Sequence, residues 1–271
     1  MNIKRILTAL IGFPIVMLVL CFGNKYIIDI SCAIIGIIAM YEFIKCASQK
    51  VKIIKWVSYL SVSCIALIHV IPIEIMSYIG IIGVPILLLI LFLHVIVTNM
   101  KITFEDIVYT LMGIVYIISF LGFLPAVYGI EGEVSGKFLV WFVIFATWGT
   151  DVFAYAVGKR FGKTKFSKVS PNKSVEGCVA GALGAVIASL ILCYALNSIF
   201  NLELSYIIIG VISLILSIIG QIGDFSASVI KRYFEVKDFS NLFPGHGGMI
   251  DRIDSVMFAA PFAYMLFTIL L

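Results

Sequence analysis

Long stretches of this chain carry no Asp, Glu, Lys or Arg, and their length limits what it can fold into. The runs 6–22, 56–71, 79–97 and 206–222 approach or reach the roughly 17–25 residues that a helix needs to cross a bilayer. Of 271 residues, 62% are hydrophobic and 13% charged. A soluble domain carries about 45–50% apolar and about 25% charged residues, so too few charges remain here to cover a water-facing surface. A soluble globule is excluded, and the alternating ten-residue pattern of an outer-membrane barrel is absent. The expected fold is all-α, a polytopic integral membrane helix bundle.

Polar breaks divide the sequence into nine candidate spans, near 4–22, 26–44, 56–71, 79–98, 106–128, 138–158, 177–197, 204–230 and 254–271. Lys4 and Arg5 before the first run resemble a secretory leader. No small-residue cleavage site follows, and Asn24-Lys25-Tyr26 leads directly into the next run, so this segment is expected to be a first transmembrane helix. With the N-terminus inside, 17 of the 19 Lys and Arg residues fall in inner segments, and only Lys25 and Lys137 lie outside. By the positive-inside rule this predicts a cytoplasmic N-terminus and an outer C-terminus; the expected location is the cell's inner (cytoplasmic) membrane. Ionisable groups at membrane depth are sparse up to residue 103 and frequent beyond it. Residues 1–103 are therefore expected to be scaffold. Residues 104–271 are the expected catalytic region, with cytoplasmic loops 159–176 and 231–253.

Several polar residues need no functional reading. The six cysteines are scattered singly, without metal-ligand or redox spacing, and read as small buried hydrophobes. His69 and His94 have no carboxylate or second His at ligand spacing and read as structural. Glu42 is spaced to pair with Lys45 at i+3, and Asp29 lies near the outer boundary of its span.

Three segments carry chemistry. In the first, Asp151 sits inside an apolar run with Tyr155 and Gly158 at helical spacing, and burying an ion in hydrocarbon costs several kcal/mol unless it is paired or hydrated. The second, Ser170-Pro171-Asn172-Lys173-Ser174-Val175-Glu176-Gly177, opens the seventh span. Pro171 suits a helix start, Ser170 or Ser174 suits a cap, and the helix end with Lys173 suits a phosphate. The spacing is not that of a Walker A loop. In the third, Asp224, Ser228 and Lys231 share one helical face, and so do Asp251, Asp254 and Ser255, with a glycine-rich turn between the two groups. Two carboxylate-bearing helix ends joined by a short basic segment suggest a hard-cation site, with Mg²⁺ held between Asp224 and Asp251 and completed by substrate phosphates.

The run Ser228-x-Ile230-Lys231-Arg232-x4-Lys237-Asp238-x-Ser240-x2-Phe243-Pro244-x-His246-Gly247-Gly248-Met249-x-Asp251-Arg252-Ile253-Asp254 resembles the signature of the phosphatidate cytidylyltransferases (CDP-diacylglycerol synthases) over all its 27 residues. The Asp151-x3-Tyr155-x2-Gly158 and Ser170–Gly177 segments resemble that family's other motifs, in the same order. One departure is Phe153, where the family more usually has a glycine before the Ala-Tyr pair. The resemblance implies that CTP and phosphatidic acid react to CDP-diacylglycerol and pyrophosphate in phospholipid synthesis, with Mg²⁺ as cofactor. It admits a second cation such as K⁺ and a homodimer. It implies no nucleic-acid partner. The candidate catalytic residues are Asp224, Asp251, Lys231, Arg232, His246 and Asp254. The candidate substrate-binding residues are Asp151, Ser170, Lys173, Glu176, Ser228, Lys237, Asp238, Gly247, Gly248 and Arg252.

Three other functions compete for the same residues. A CTP-dependent polyprenol or phytol kinase should lack the His-Gly-Gly…Asp-Arg-x-Asp run. A CDP-alcohol phosphotransferase needs an Asp-Gly-x2-Ala-Arg motif that is not found here. An ion-coupled transporter should show internal repeats and helices broken near the midplane, whereas these polar groups gather at one edge.

Overall fold

Among the described residues the apolar runs fold into ten α-helices: α1 (Ile3–Phe22), α2 (Lys25–Ala47), α3 (Lys55–Ser63), α4 (Ile73–Val97), α5 (Phe104–Leu121), α6 (Phe123–Tyr128), α7 (Gly136–Phe161), α8 (Val175–Phe200), α9 (Tyr206–Tyr233) and α10 (Ile250–Leu270). The computed structural model describes the backbone of residues 3–132, 134–167, 169–243 and 247–271, and the side chains of all of these except 3–11 and 73. His246, a candidate catalytic residue, lies outside them, with Pro244 and Gly245. Within them the only extended pairing is two isolated bridges, Lys165 with Ser174 and Phe243 with Gly247. The protein is an all-α, multi-pass membrane protein.

Seven helical segments among the described residues are long and apolar enough to cross a membrane, where nine were expected. The difference lies at the first and third candidates. In α1 the described side chains begin near Gly12, leaving the shorter apolar stretch Gly12–Phe22. The third run forms α3, nine residues, and then a 3₁₀ turn of four residues (Cys64–Leu67). At 1.5 Å per residue this is ~20 Å, short of the ~30 Å of hydrocarbon. The reason is a buried polar pair. Asp29 of α2, 0% exposed, accepts the His69 N–H at 3.0 Å and meets His69 Nδ1 at 2.6 Å. Backbone that leaves a helix within an apolar bundle needs such partners. His69 is structural, as read from the sequence, while Asp29 does more than sit at a boundary.

Two compact units divide the chain. The first comprises Met1–Ala126 and Tyr233–Arg252, the second Val127–Arg232 and Ile253–Leu271. In the first unit α2 buries Ala39, Met40, Phe43 and Ile44. The helix begins where Asn24 accepts the Ile27 N–H at 3.0 Å, a side-chain cap. A capping box between Thr103 and Asp106 starts α5, and the Asp106 carboxylate also accepts the Lys52 N–H at 2.6 Å, fixing the α2–α3 connection. The last residue of α9 and the segment after it belong to this unit: Phe234 packs edge-on against Phe43 at 6.3 Å, and Tyr233 stacks on Tyr109 and bonds to its hydroxyl.

In the second unit α7 and α8 meet almost backbone to backbone. A Cβ at Gly177 would lie 2.9 Å from the Ala154 carbonyl oxygen, and one at Gly181 2.9 Å from that of Thr150. At Gly184 it would fall 2.1 Å from Phe153 Cγ. Small residues let membrane helices approach this closely. The glycine missing from position 153 is thus matched by one on the opposite helix, and the packing is close. Likewise Gly223 lets α10 cross α9: a Cβ there would lie 2.6 Å from the Asp254 carbonyl oxygen.

Candidate active site

The second unit gathers five of the candidate residues. Asp224 follows Gly223, so the α9–α10 crossing puts it beside Asp254, which is 5% exposed. Asp254 interacts electrostatically with Asp224, Asp151 and Lys231. Its Oδ1 accepts the Ser255 N–H at 2.8 Å. Lys173 reaches the same place from the α7–α8 connection: its ammonium forms an ion pair with Asp224 and lies 4.5 Å from the centre of the Phe225 ring. Ser228 is buried one turn beyond Asp224 on α9. Arg232 is exposed in the last turn of that helix.

The connection that presents Lys173 is well braced. Phe166 N–H bonds to the Lys173 carbonyl at 3.0 Å, and Val175 N–H to that of Thr164 at 2.9 Å. Glu176 accepts backbone N–H bonds from Lys163 and Thr164 at 3.1–3.2 Å, so its carboxylate holds the loop closed. Phe166 stacks on Phe225 at 4.8 Å. Of the two cap candidates, Ser174 serves, accepting the Gly177 N–H at 3.1 Å. Pro171 lies in the preceding turn rather than in the helix, and the Ser170 carbonyl accepts the Lys173 N–H.

The first unit holds the glycine-rich turn and its own carboxylates. Asp251 Oδ2 accepts the Phe239 N–H at 3.1 Å and the Gly248 N–H at 2.9 Å, closing the turn onto the start of α10. Gly247 has φ +84°, a conformation other residues avoid, and a Cβ there would stand 2.9 Å from Asp251 Oδ2. Lys237 and Asp238 are exposed before the turn, and Arg252 is exposed after it, its N–H bonded to the Met249 carbonyl.

One buried residue here was not singled out from the sequence. Glu42 of α2 is 1% exposed, and its observed partners are not on its own helix. It accepts from Ser240 Oγ at 2.6 Å, Met249 N–H at 2.8 Å and Ile250 N–H at 3.0 Å. A lone Glu in an apolar run was the only sequence signal, and its partners lie 198 to 208 residues away.

The donors around Asp224 and Asp254 are carboxylate oxygens, with no thiolate or imidazole among the candidate ligands. That chemistry fits a hard divalent cation, which takes one or two carboxylates and fills its shell with water and phosphate oxygens. Among the described residues no group of three or more His, Cys, Asp or Glu side chains forms a ready-made metal cage. Asp224 and Asp251, expected from the sequence to share an ion, belong to different units.

The sequence profile described as "Cytidylyltransferase family" matches residues 3–270. The chain is 32% identical over 264 residues to the phosphatidate cytidylyltransferase of Staphylococcus aureus (strain COL), covering 95% of each chain. It is 34% identical over 179 residues to that of Bacillus subtilis (strain 168), spanning 66% of this chain and 64% of the relative. With the phosphatidate cytidylyltransferase of Thermotoga maritima it shares 35% over 161 residues, 59% of this chain and 58% of the other.

Proposed function

This chain belongs to the cytidylyltransferase family, and from that membership we propose that it converts CTP and phosphatidic acid into CDP-diacylglycerol and pyrophosphate. The observation that carries the proposal is the Lys173–Asp224–Asp254 cluster, where an ammonium and two carboxylates converge on a membrane helix crossing. A phosphate oxygen of the lipid attacks the α-phosphorus of CTP. A new P–O bond forms, the bond from the α-phosphorus to the β-bridging oxygen breaks, and pyrophosphate leaves with that electron pair. The nucleophile is already ionised, so catalysis is chiefly alignment and charge neutralisation.

Lys173, held by Asp224 and the Phe225 ring, binds a phosphate. Lys231, Arg232, Lys237 and Arg252 supply further positive charge, with Ser170, Ser228, Asp151, Asp238 and the Gly247-Gly248 turn completing substrate contacts. Glu176 acts by keeping the Lys173 loop closed, His246 is a further proposed catalytic residue, and Asp254 supports Asp224. Asp224 and Asp251 are the proposed Mg²⁺ ligands; when bound, the ion offsets the negative charge of the phosphates. The resemblance alone supports a second cation such as K⁺ and a homodimer.

A cavity of about 640 Å³ in the second unit suits the lipid. It is lined by Cys178, Leu183, Leu214, Ile218, Phe225 and Val229, and follows one face of α9 from Leu214 past Phe225 to Val229. An acyl chain there would leave its phosphate near Lys173. Counted over the nine spans expected from the sequence, the cation distribution supports a site at the cytoplasmic face of the inner membrane. Purified protein in liposomes with radiolabelled CTP and phosphatidic acid should yield labelled CDP-diacylglycerol and pyrophosphate. Label transferred from the γ-position to a polyprenol instead would favour the kinase reading.

A further inference from the structure

Glu42 sits on a helix of the N-terminal region, where nothing in the sequence points to chemistry. Its surroundings explain features of the signature that its own neighbours do not. α10 begins at Ile250, and the residue before it, Met249, has no side-chain oxygen to cap it. The N–H groups of Met249 and Ile250 are therefore unpaired within α10, as the first amides of any helix are. The Glu42 carboxylate accepts both, at 2.8 and 3.0 Å, from another helix. Negative charge at that end also meets the positive pole of the helix dipole. The third bond, from Ser240 Oγ at 2.6 Å, fixes the other arm of the turn.

Gly248 completes the picture. A Cβ at that position would lie 2.5 Å from Glu42 Oε2 and 2.8 Å from its Oε1, so a larger residue would push the carboxylate out of this arrangement. Gly247 makes the corresponding room for Asp251. The Gly-Gly pair is thus the imprint of two carboxylates, one on each side of the turn. Asp251 in turn holds the N–H groups of Phe239 and Gly248. Glu42, through Ser240, Met249 and Ile250, sets the backbone from which Asp251 projects.

We infer that Glu42 is a positioning residue for the reaction, anchoring the 239–251 turn and the start of α10 so that Asp251 and the turn are held ready for the nucleotide phosphates and their cation. This rests on the proposed function, and one measurement is independent of it. Glu42→Gln keeps the side-chain shape and exchanges an acceptor oxygen for a donor that the Met249 or Ile250 N–H opposes. In detergent-solubilised full-length protein, hydrogen exchange should quicken at residues 239–251 while α7 and α8 remain protected, with the melting temperature within about 2 °C of wild type.

Under saturating CTP and phosphatidate, kcat should fall at least ~10-fold, and the Mg²⁺ concentration giving half-maximal rate should rise. Glu42→Ala should be worse, and Glu42→Asp should regain part of the rate. A general loss of folding would instead lower the melting temperature and leave the Mg²⁺ dependence of the surviving activity unchanged. If Glu42→Gln does not fold, Ser240→Ala, which removes one of the three donors, should quicken exchange in the same segment and lower kcat less. Unchanged exchange at 239–251 in the folded variant would overturn the anchor. Quickened exchange with wild-type kcat and Mg²⁺ dependence would overturn the positioning role. Absence of activity in the wild-type protein would reject the proposed reaction, and the exchange data would still decide the anchor.

Discussion

Lys173 and Asp224, 51 residues apart in the sequence, meet in an ion pair over the face of Phe225. Each is the partner that makes the other tolerable at a part-buried helix crossing, because an ammonium or a carboxylate alone there would lose hydration without compensation. In the proposed reaction the same ammonium faces phosphate. Lys173→Ala should therefore lower CTP-dependent turnover by at least ~10-fold while the protein stays folded in detergent. Activity within about twofold of wild type, ~0.4 kcal/mol of transition-state stabilisation, would reassign the lysine to membrane topology alone.

Asp224→Asn and Asp251→Asn each keep the side-chain shape and remove the charge. Each should abolish most activity, and excess Mg²⁺ should restore little of it. If both serve one ion, the double variant is scarcely worse than either single one. Multiplicative losses in steady-state assays of the double variant would assign the two carboxylates to separate tasks.

The α7–α8 contact makes a prediction about stability. Gly184→Ala puts a methyl group into the Phe153 ring, and overpacking of this kind costs about 1–3 kcal/mol. In a Phe153→Gly background, which removes the Cβ at 2.5 Å as well as the ring, that clash is relieved. A double-mutant cycle on thermal unfolding in detergent should therefore show coupling, and additive effects would mean that the helices shift apart instead.

Counted over the nine spans expected from the sequence, the cation distribution predicts the topology, and it does so only if the short third run counts as a crossing. Reporter fusions after Lys165 and after Phe239 should both report a cytoplasmic position, and an external signal at either would reverse the orientation assigned to that half.

What the sequence disclosed depended on how far apart cause and effect lie in the chain. Asp224, Lys231, Asp251 and Asp254 were visible because their spacing is set by the helices they ride on, and a charge beside an apolar run is conspicuous. The all-α membrane architecture was legible for the same reason, since run length alone decides it. The short third helix was not, because it ends where Asp29, 40 residues earlier, takes the His69 amide. Glu42 was missed because the groups that occupy it come from residues 240–250, and a local reading paired it with Lys45. Glu176 was assigned to substrate on its place in the motif, whereas its carboxylate is engaged by the backbone of Lys163 and Thr164.

Phe153 and Gly184 carry a consequence for tracing descent. The interface between their helices has a fixed amount of room, and a large ring on one side is accommodated because the facing residue contributes only hydrogen. What the geometry constrains there is the summed volume of two positions rather than either residue alone. A relative with glycine at the position of Phe153 is free to carry bulk at that of Gly184. Compared column by column, two such chains would look divergent at both sites, although the helices they build lie at the same separation.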